Sequence, residues 1–154
     1  PAEHETLAEH EIPLPTGRLQ PDRDFGGQRF VRHDASKAMW HSWRVPGFAS
    51  RDLGIGAATD GLAGARVVRP AGFGATQPVL TRHDAELVFQ FVLRGAVTFE
   101  HAAGAGAEAP GRHELRAGDT VVVPPDLPYR FVDWTTDFEL LDVTLPDRVA
   151  VVPA

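Results

Sequence analysis

No helical period is sustained anywhere in this chain beyond Gln28, and that absence constrains the fold more than any other feature. Short apolar runs are cut instead by Gly, Pro and Asp, the punctuation of strands joined by turns. The pattern predicts an all-β sandwich or barrel. Candidate strands are Arg29 to Arg32, Met39 to Arg44, Ala49 to Gly54, Ala65 to Arg69, Leu87 to Leu93, Ala96 to His101, His113 to Leu115, Thr120 to Val123, Tyr129 to Val132 and Phe138 to Thr144. The run Leu87 to Leu93 is apolar on both faces, as expected of a strand lying between a barrel interior and a second layer. Arg94-Gly95 follows it as a tight turn.

At 154 residues and 43% hydrophobic content, the chain has the size of one domain with one core. The expected division is an N-terminal arm over 1–27 and a single barrel domain over 28–154. The arm is rich in Glu and His, and Pro13, Pro15 and Pro21 bar a long helix there. Its Glu3-His4-Glu5 and Glu9-His10-Glu11 do not have the spacing of a zinc protease and read as solvated charge. Residues 102–112, made mostly of Ala and Gly, read as a flexible loop.

A formal charge of -6 and a single Lys, Lys37, argue against a nucleic-acid groove or an anionic membrane surface, which need clustered positive charge. With no Cys, disulfides, thiolate metal sites and cysteine nucleophiles are excluded. Nothing approaches the roughly 20 apolar residues of a membrane span. The opening Pro1-Ala2-Glu3-His4-Glu5 lacks the layout of a signal peptide, and the expected location is cytoplasmic. Glycines in Gly54-Ile55-Gly56 and Gly72-Phe73-Gly74 have no phosphate-loop Lys after them, and Ser36, Ser42 and Ser50 sit in no nucleophile elbow.

Two stretches carry the chemistry. The first runs from Gly74 through Thr81-Arg82-His83 and Val88 to Gly95. The second runs from Gly118 through Pro124-Pro125-Asp126 and Tyr129 to Asp133. Their spacing resembles the paired motifs of the cupin superfamily: Gly, His-x-His, an acid or amide, then Gly; and Gly, Pro-x-Gly, His, then Asn. The resemblance implies a double-stranded β-helix, the jelly-roll barrel of small single-domain bacterial cupins, and a homodimer, which would also cover apolar strand faces. It places the four metal-ligand positions at Thr81, His83, Val88 and Tyr129. Only His83 keeps a ligand type, so a degenerate site with no metal and no other cofactor is expected, because a mononuclear site needs several converging donors.

Strand alternation puts Thr81 and His83 on one face, with Val88 and Gln90 together and Tyr129 beside Phe131. These six form the expected inward lining, a mostly apolar wall with a few polar groups, suited to a small-molecule substrate. His83 and Tyr129 are the candidate catalytic pair, an imidazole base facing a phenol that holds its proton at neutral pH. Thr81, Val88, Gln90 and Phe131 are the candidate substrate contacts, with His41 and Trp43 as a further wall if they share a face. Against this stands a relic His83 merely hydrogen-bonded inside an inactive barrel. His33, His41 and His101 are the donors available should a metal site be rebuilt elsewhere. Trp40, Trp43 and Phe48 read as core or subunit contact, and Arg66 and Arg69 as an exposed sheet edge or a carboxylate clamp.

The function expected is a metal-independent enzyme of isomerase, cyclase or lyase type acting on a small organic molecule. The alternatives are a non-catalytic small-molecule-binding cupin and a metal-dependent dioxygenase with relocated ligands.

Overall fold

The computed structural model describes residues 25–72, 78–103 and 109–154. Among the described residues the strands in chain order are β1 (His41–Ser42), β2 (Phe48–Asp52), β3 (Gly64–Pro70), β4 (Thr81–His83), β5 (Leu87–Arg94), β6 (Ala96–His101), β7 (Gly111–Arg116), β8 (Thr120–Val123), β9 (Tyr129–Val132), β10 (Glu139–Leu145) and β11 (Val151–Pro153), with a 3-10 turn over Ala35–Lys37 and a short α-helix, α1 (Ile55–Ala58). They build two facing antiparallel sheets, ordered β1-β2-β3-β10-β5-β8 and β11-β4-β9-β6-β7. The chain crosses repeatedly from one sheet to the other, which is jelly-roll connectivity.

Alternation decides which residues face inward. On β5, Val88, Gln90 and Val92 are buried while their neighbours are partly exposed, and on β10 the buried set is Leu140, Asp142 and Thr144. Aromatic side chains fill the space between the sheets. Phe48 and Phe131 meet edge to face at 5.7 Å, and Tyr129 stacks on Phe99 at 5.5 Å. Each fully buried apolar side chain of this kind contributes about 1.5–3 kcal/mol, so the rings dominate the stability of the interior. Gly95 makes the turn between β5 and β6 with φ of 66°, and a Cβ there would fall 2.9 Å from the Phe138 Cα. Only glycine satisfies both conditions.

Several expectations change. Arg29 to Arg32 pairs with no strand: Phe30 is 94% exposed, and the segment is tied down by the Arg29 guanidinium on the Ala57 carbonyl at 2.8 Å. The strand expected over Met39 to Arg44 shortens to β1, because the turn at Pro46-Gly47 already draws the Trp43 N–H to the Phe48 carbonyl. Gly111 and Arg112, expected in a loop, extend β7; β4, absent from the candidate strands, together with β11, α1 and the 3-10 turn over Ala35–Lys37, are additions. Residues 1–24 of the expected arm, and 104–108 of the expected loop, lie outside the described residues.

The sheet-edge reading of Arg66 and Arg69 is also corrected, since β3 lies between β2 and β10. Arg66 instead clamps the chain's own acids, at 2.5 Å from Asp147 and 3.5 Å from Asp52. Arg69 lies 3.9 Å over the Trp40 ring.

Candidate functional site

Just after β1 the chain sends Arg44 toward the interior. Its guanidinium grips Asp142 of β10 through two hydrogen bonds of 2.5 and 2.6 Å, with Arg44 12% and Asp142 0% exposed. Burial opposes the Arg44 charge, but the two bonds and the carboxylate charge outweigh it and raise its pKa further. Asp142 also accepts from the Gln90 amide at 3.2 Å, and the Arg44 guanidinium lies 4.6 Å over the Trp43 ring. A charged and polar chain thus runs from the Trp43 face to the middle of β5.

Tyr129 stands beside that chain and is fully buried. Burial pushes its phenol pKa up, only partly offset by the Arg44 charge, so the hydroxyl stays protonated. That hydroxyl makes no well-aligned hydrogen bond within the protein, although Arg44 and Thr81 lie close enough to act on it. The Trp43 indole N–H, the Arg44 Nε–H and the Gln90 amide oxygen also lack a well-aligned bond. Buried polar atoms are nearly always paired, so four without well-aligned bonds in one interior mark a place where a ligand or ordered water could complete them. A cleft of about 250 Å³ reaches Trp43 and Arg44 from outside, between Ser42, Ser50, Arg66 and Val149.

His83 differs. Its Nε2 is 3.0 Å from the Val123 carbonyl and its Nδ1 is 3.2 Å from the Ala85 N–H. A carbonyl only accepts, so the proton sits on Nε2, and Nδ1 accepts from Ala85. Both nitrogens are committed to backbone. Burial also lowers its pKa, chiefly by desolvating the charged form. His83 and Tyr129 do lie side by side, with ring centroids 6.3 Å apart.

The His83 shift carries a pH prediction. An unfolded His gains its proton near pH 6.5 while the folded one resists, so below that value the unfolded state binds more protons. Stability should therefore hold above about pH 6.5 and decline as pH falls toward the lowered pKa, with a slope of at most about 1.4 kcal/mol per pH unit from this group. Urea melts across pH 5 to 8 should show a shallower slope for His83→Gln than for the native chain.

Of the expected site residues, the barrel brings Thr81, His83, Val88, Gln90, Tyr129, Phe131 and Trp43 into its interior, all buried. His41 is not among them. β1 ends at Ser42, so alternation does not carry through to Trp43, and His41 is exposed on an outer cleft that it shares with His33 and Asp34. Arg44 and Asp142 carried no motif. The signal for Asp142 lay in the alternation of Leu140-Leu141-Asp142-Val143-Thr144, which places an acid on a buried face.

The two-sheet jelly roll with this order of strands matches solved structures across most of its length. A polyketide cyclase, RemF, from Streptomyces resistomycificus superposes with a TM-score of 0.61 at 17% identity, over 82% of this chain and 86% of its own. A sugar phosphate isomerase from the cupin superfamily, from Silicibacter pomeroyi, gives 0.56 at 18% identity, over 80% and 81%. This is the fold of a small cupin. KdgF from Halomonas sp. gives 0.53 at 17% identity, over 75% of this chain and 94% of that one. No protein-family model and no curated protein sequence matches the chain.

The sequence resemblance places the metal-ligand positions at Thr81, His83, Val88 and Tyr129. These do not fit a metal. Thr81 directs its hydroxyl to the Tyr129 carbonyl at 3.4 Å, His83 has both nitrogens engaged, and Val88 has no donor. Among the described residues no three His, Asp or Glu side chains gather into a metal-holding group.

Proposed function

We propose that this cupin is an enzyme that moves a proton on a small, oxygen-bearing organic molecule, in the manner of an isomerase, cyclase or lyase. The observation that carries the reading is the protonated Tyr129 hydroxyl, without a well-aligned bond of its own, beside the Arg44–Asp142–Gln90 chain. A phenol in that state donates to an oxygen on which negative charge develops, and the Arg44 Nε–H and the Trp43 N–H are further donors for it. The Gln90 oxygen is left to receive a hydroxyl. The wall of Val88 and Phe131 suits an apolar body carrying such an oxygen. His83, neutral by virtue of burial, is the base of the pair, and it acts only when a substrate proton displaces the Ala85 N–H from Nδ1. No step runs through a metal at the barrel centre. A second copy of the chain is the partner expected beside the substrate.

The chemistry named for RemF and for the sugar phosphate isomerase falls in the same class, but at such low identity they share the fold alone, and the reading rests on the residues. One observation favours a second reading. The double backbone engagement of His83 suits a non-catalytic binding barrel, in which the same polar atoms hold a ligand without converting it.

Both readings need the Trp43 indole N–H. Trp43→Phe keeps a ring in the core but removes the donor, and should weaken binding of small carbonyl compounds about tenfold, the worth of one hydrogen bond. Calorimetric titration of both proteins with 2-oxo acids and aryl ketones checks this. Equal affinities would place the ligand elsewhere.

A further inference from the structure

Two imidazoles meet at the other open side of the barrel. Alternation puts Val97, Phe99 and His101 on the inward face of β6, where Val97 is 0% and Phe99 2% exposed. The register sets Phe99 opposite His113 and His101 opposite Gly111, so His101 and His113 are diagonal neighbours on that face. Their Nε2 atoms stand 3.3 Å apart and their ring planes differ by 3°.

Two details show that the pair is built rather than incidental. His101 Nδ1 lies 3.1 Å from the Ala102 carbonyl. The carbonyl only accepts, so the proton is on Nδ1 and Nε2 presents a bare lone pair. A carbonyl on the far nitrogen is the usual orienting contact of a metal-bound imidazole. The second detail is Gly111, where a Cβ would fall 2.3 Å from His101 Nε2 and 2.6 Å from His113 Nε2. Gly111 is not among the residues with positive φ, so its backbone does not require glycine. What requires it is the space both nitrogens occupy.

β7 ends one sheet and β8 ends the other, so the pair stands where the sheets part. There it rims a cleft of about 620 Å³ walled by Phe99, Leu115, Val121 and Leu127, with none of Arg44, Gln90, Tyr129 or Asp142 in its lining. We propose that His101 and His113 bind a tetrahedral divalent transition-metal ion of the zinc type through their Nε2 atoms. Two nitrogens at 2.0–2.1 Å from a tetrahedral ion stand about 3.3–3.4 Å apart, which is the separation found. In the metal-free chain His113 Nε2–H donates to the bare His101 Nε2. When the ion enters, His113 takes its Nδ1–H tautomer and its exposed ring turns slightly, bringing both lone pairs to the same point. The ion's remaining positions face the apolar cleft, and suit water or an oxygen donor on an apolar molecule. Neither the residues nor the cleft belong to the Tyr129 site, so the two proposals stand or fall separately.

The test is calorimetric titration of the full, metal-free chain with ZnCl₂ at neutral pH. The chain should bind one equivalent at this site, and Co²⁺ should give the intense visible absorption of a tetrahedral complex. His113→Gln and His101→Ala should each weaken binding about a hundredfold, because the second ligand no longer acts intramolecularly. Gly111→Ala keeps both imidazoles but fills the space between them, and should weaken binding as well. His41→Ala removes an imidazole elsewhere and should change nothing. Circular dichroism reports folding, and His113, exposed on an edge strand, is the variant that least disturbs it. Uptake by His113→Gln equal to that of the native chain would overturn the proposal. So would no uptake at millimolar Zn²⁺, which would leave a proton shared between the two rings.

Discussion

Asp142→Ala should destabilise the chain by about 3–5 kcal/mol, the range for removing one partner of a buried ion pair. The loss comes from what remains. The Arg44 guanidinium, 12% exposed, would keep its charge without the carboxylate that takes two of its hydrogen bonds, and the Gln90 amide would lose its acceptor. Urea denaturation of the variant against the native chain measures the difference. The double variant Arg44→Met with Asp142→Leu should recover most of the loss, since well-packed apolar residues often replace a buried pair at little cost. A single variant within about 1 kcal/mol of the native chain would mean that the guanidinium swings out to water, as a surface pair does.

Tyr129→Phe should behave in the opposite way, leaving stability nearly intact and abolishing function. A buried tyrosine hydroxyl normally has a partner, and deleting it then costs about 0.5–1.5 kcal/mol. This one makes no well-aligned bond, only contacts with Arg44 and Thr81, so its removal should change stability by less than that range. Turnover should fall by about 10²-fold or more, the usual contribution of a positioned proton donor. Measured on one protein sample, the two results separate a catalytic phenol from a packing one. If the ligand is bound but not converted, the variant will show the loss in affinity alone, and the barrel is a binding module.

How far the sequence reaches is clearest at β5. The apolar run Leu87 to Leu93, with its Gly95 turn, is a strand by composition, and alternation correctly places Val88 and Gln90 inside. The same logic serves β4 and β9, where Thr81, His83, Tyr129 and Phe131 all face the core. It fails where a strand is too short for alternation to hold. β1 has two residues, so His41 and Trp43 part company, and Arg44, read only as the end of a strand, becomes the residue that organises the site. Long-range pairing is the other blind spot. Arg44 and Asp142 are far apart in sequence, and their meeting depends on the sheet order β3-β10-β5, which no local pattern encodes. The imidazole pair sits between these cases: His101 shares a face with Phe99 by simple alternation, but His113 reaches it only through the β6–β7 register.

Tyr129 is the one tyrosine of the chain, so tyrosine labelled with ¹³C at Cζ reports on this site alone. Its NMR signal, followed to alkaline pH and with added ligand, is the most direct measurement of the central claim that a protonated phenol inside the barrel meets the substrate. The phenol should titrate well above the ordinary value near 10, because burial holds it neutral, and its signal should shift when a small carbonyl compound binds. A signal that titrates near 10 and ignores every ligand bound by the native chain would contradict the account.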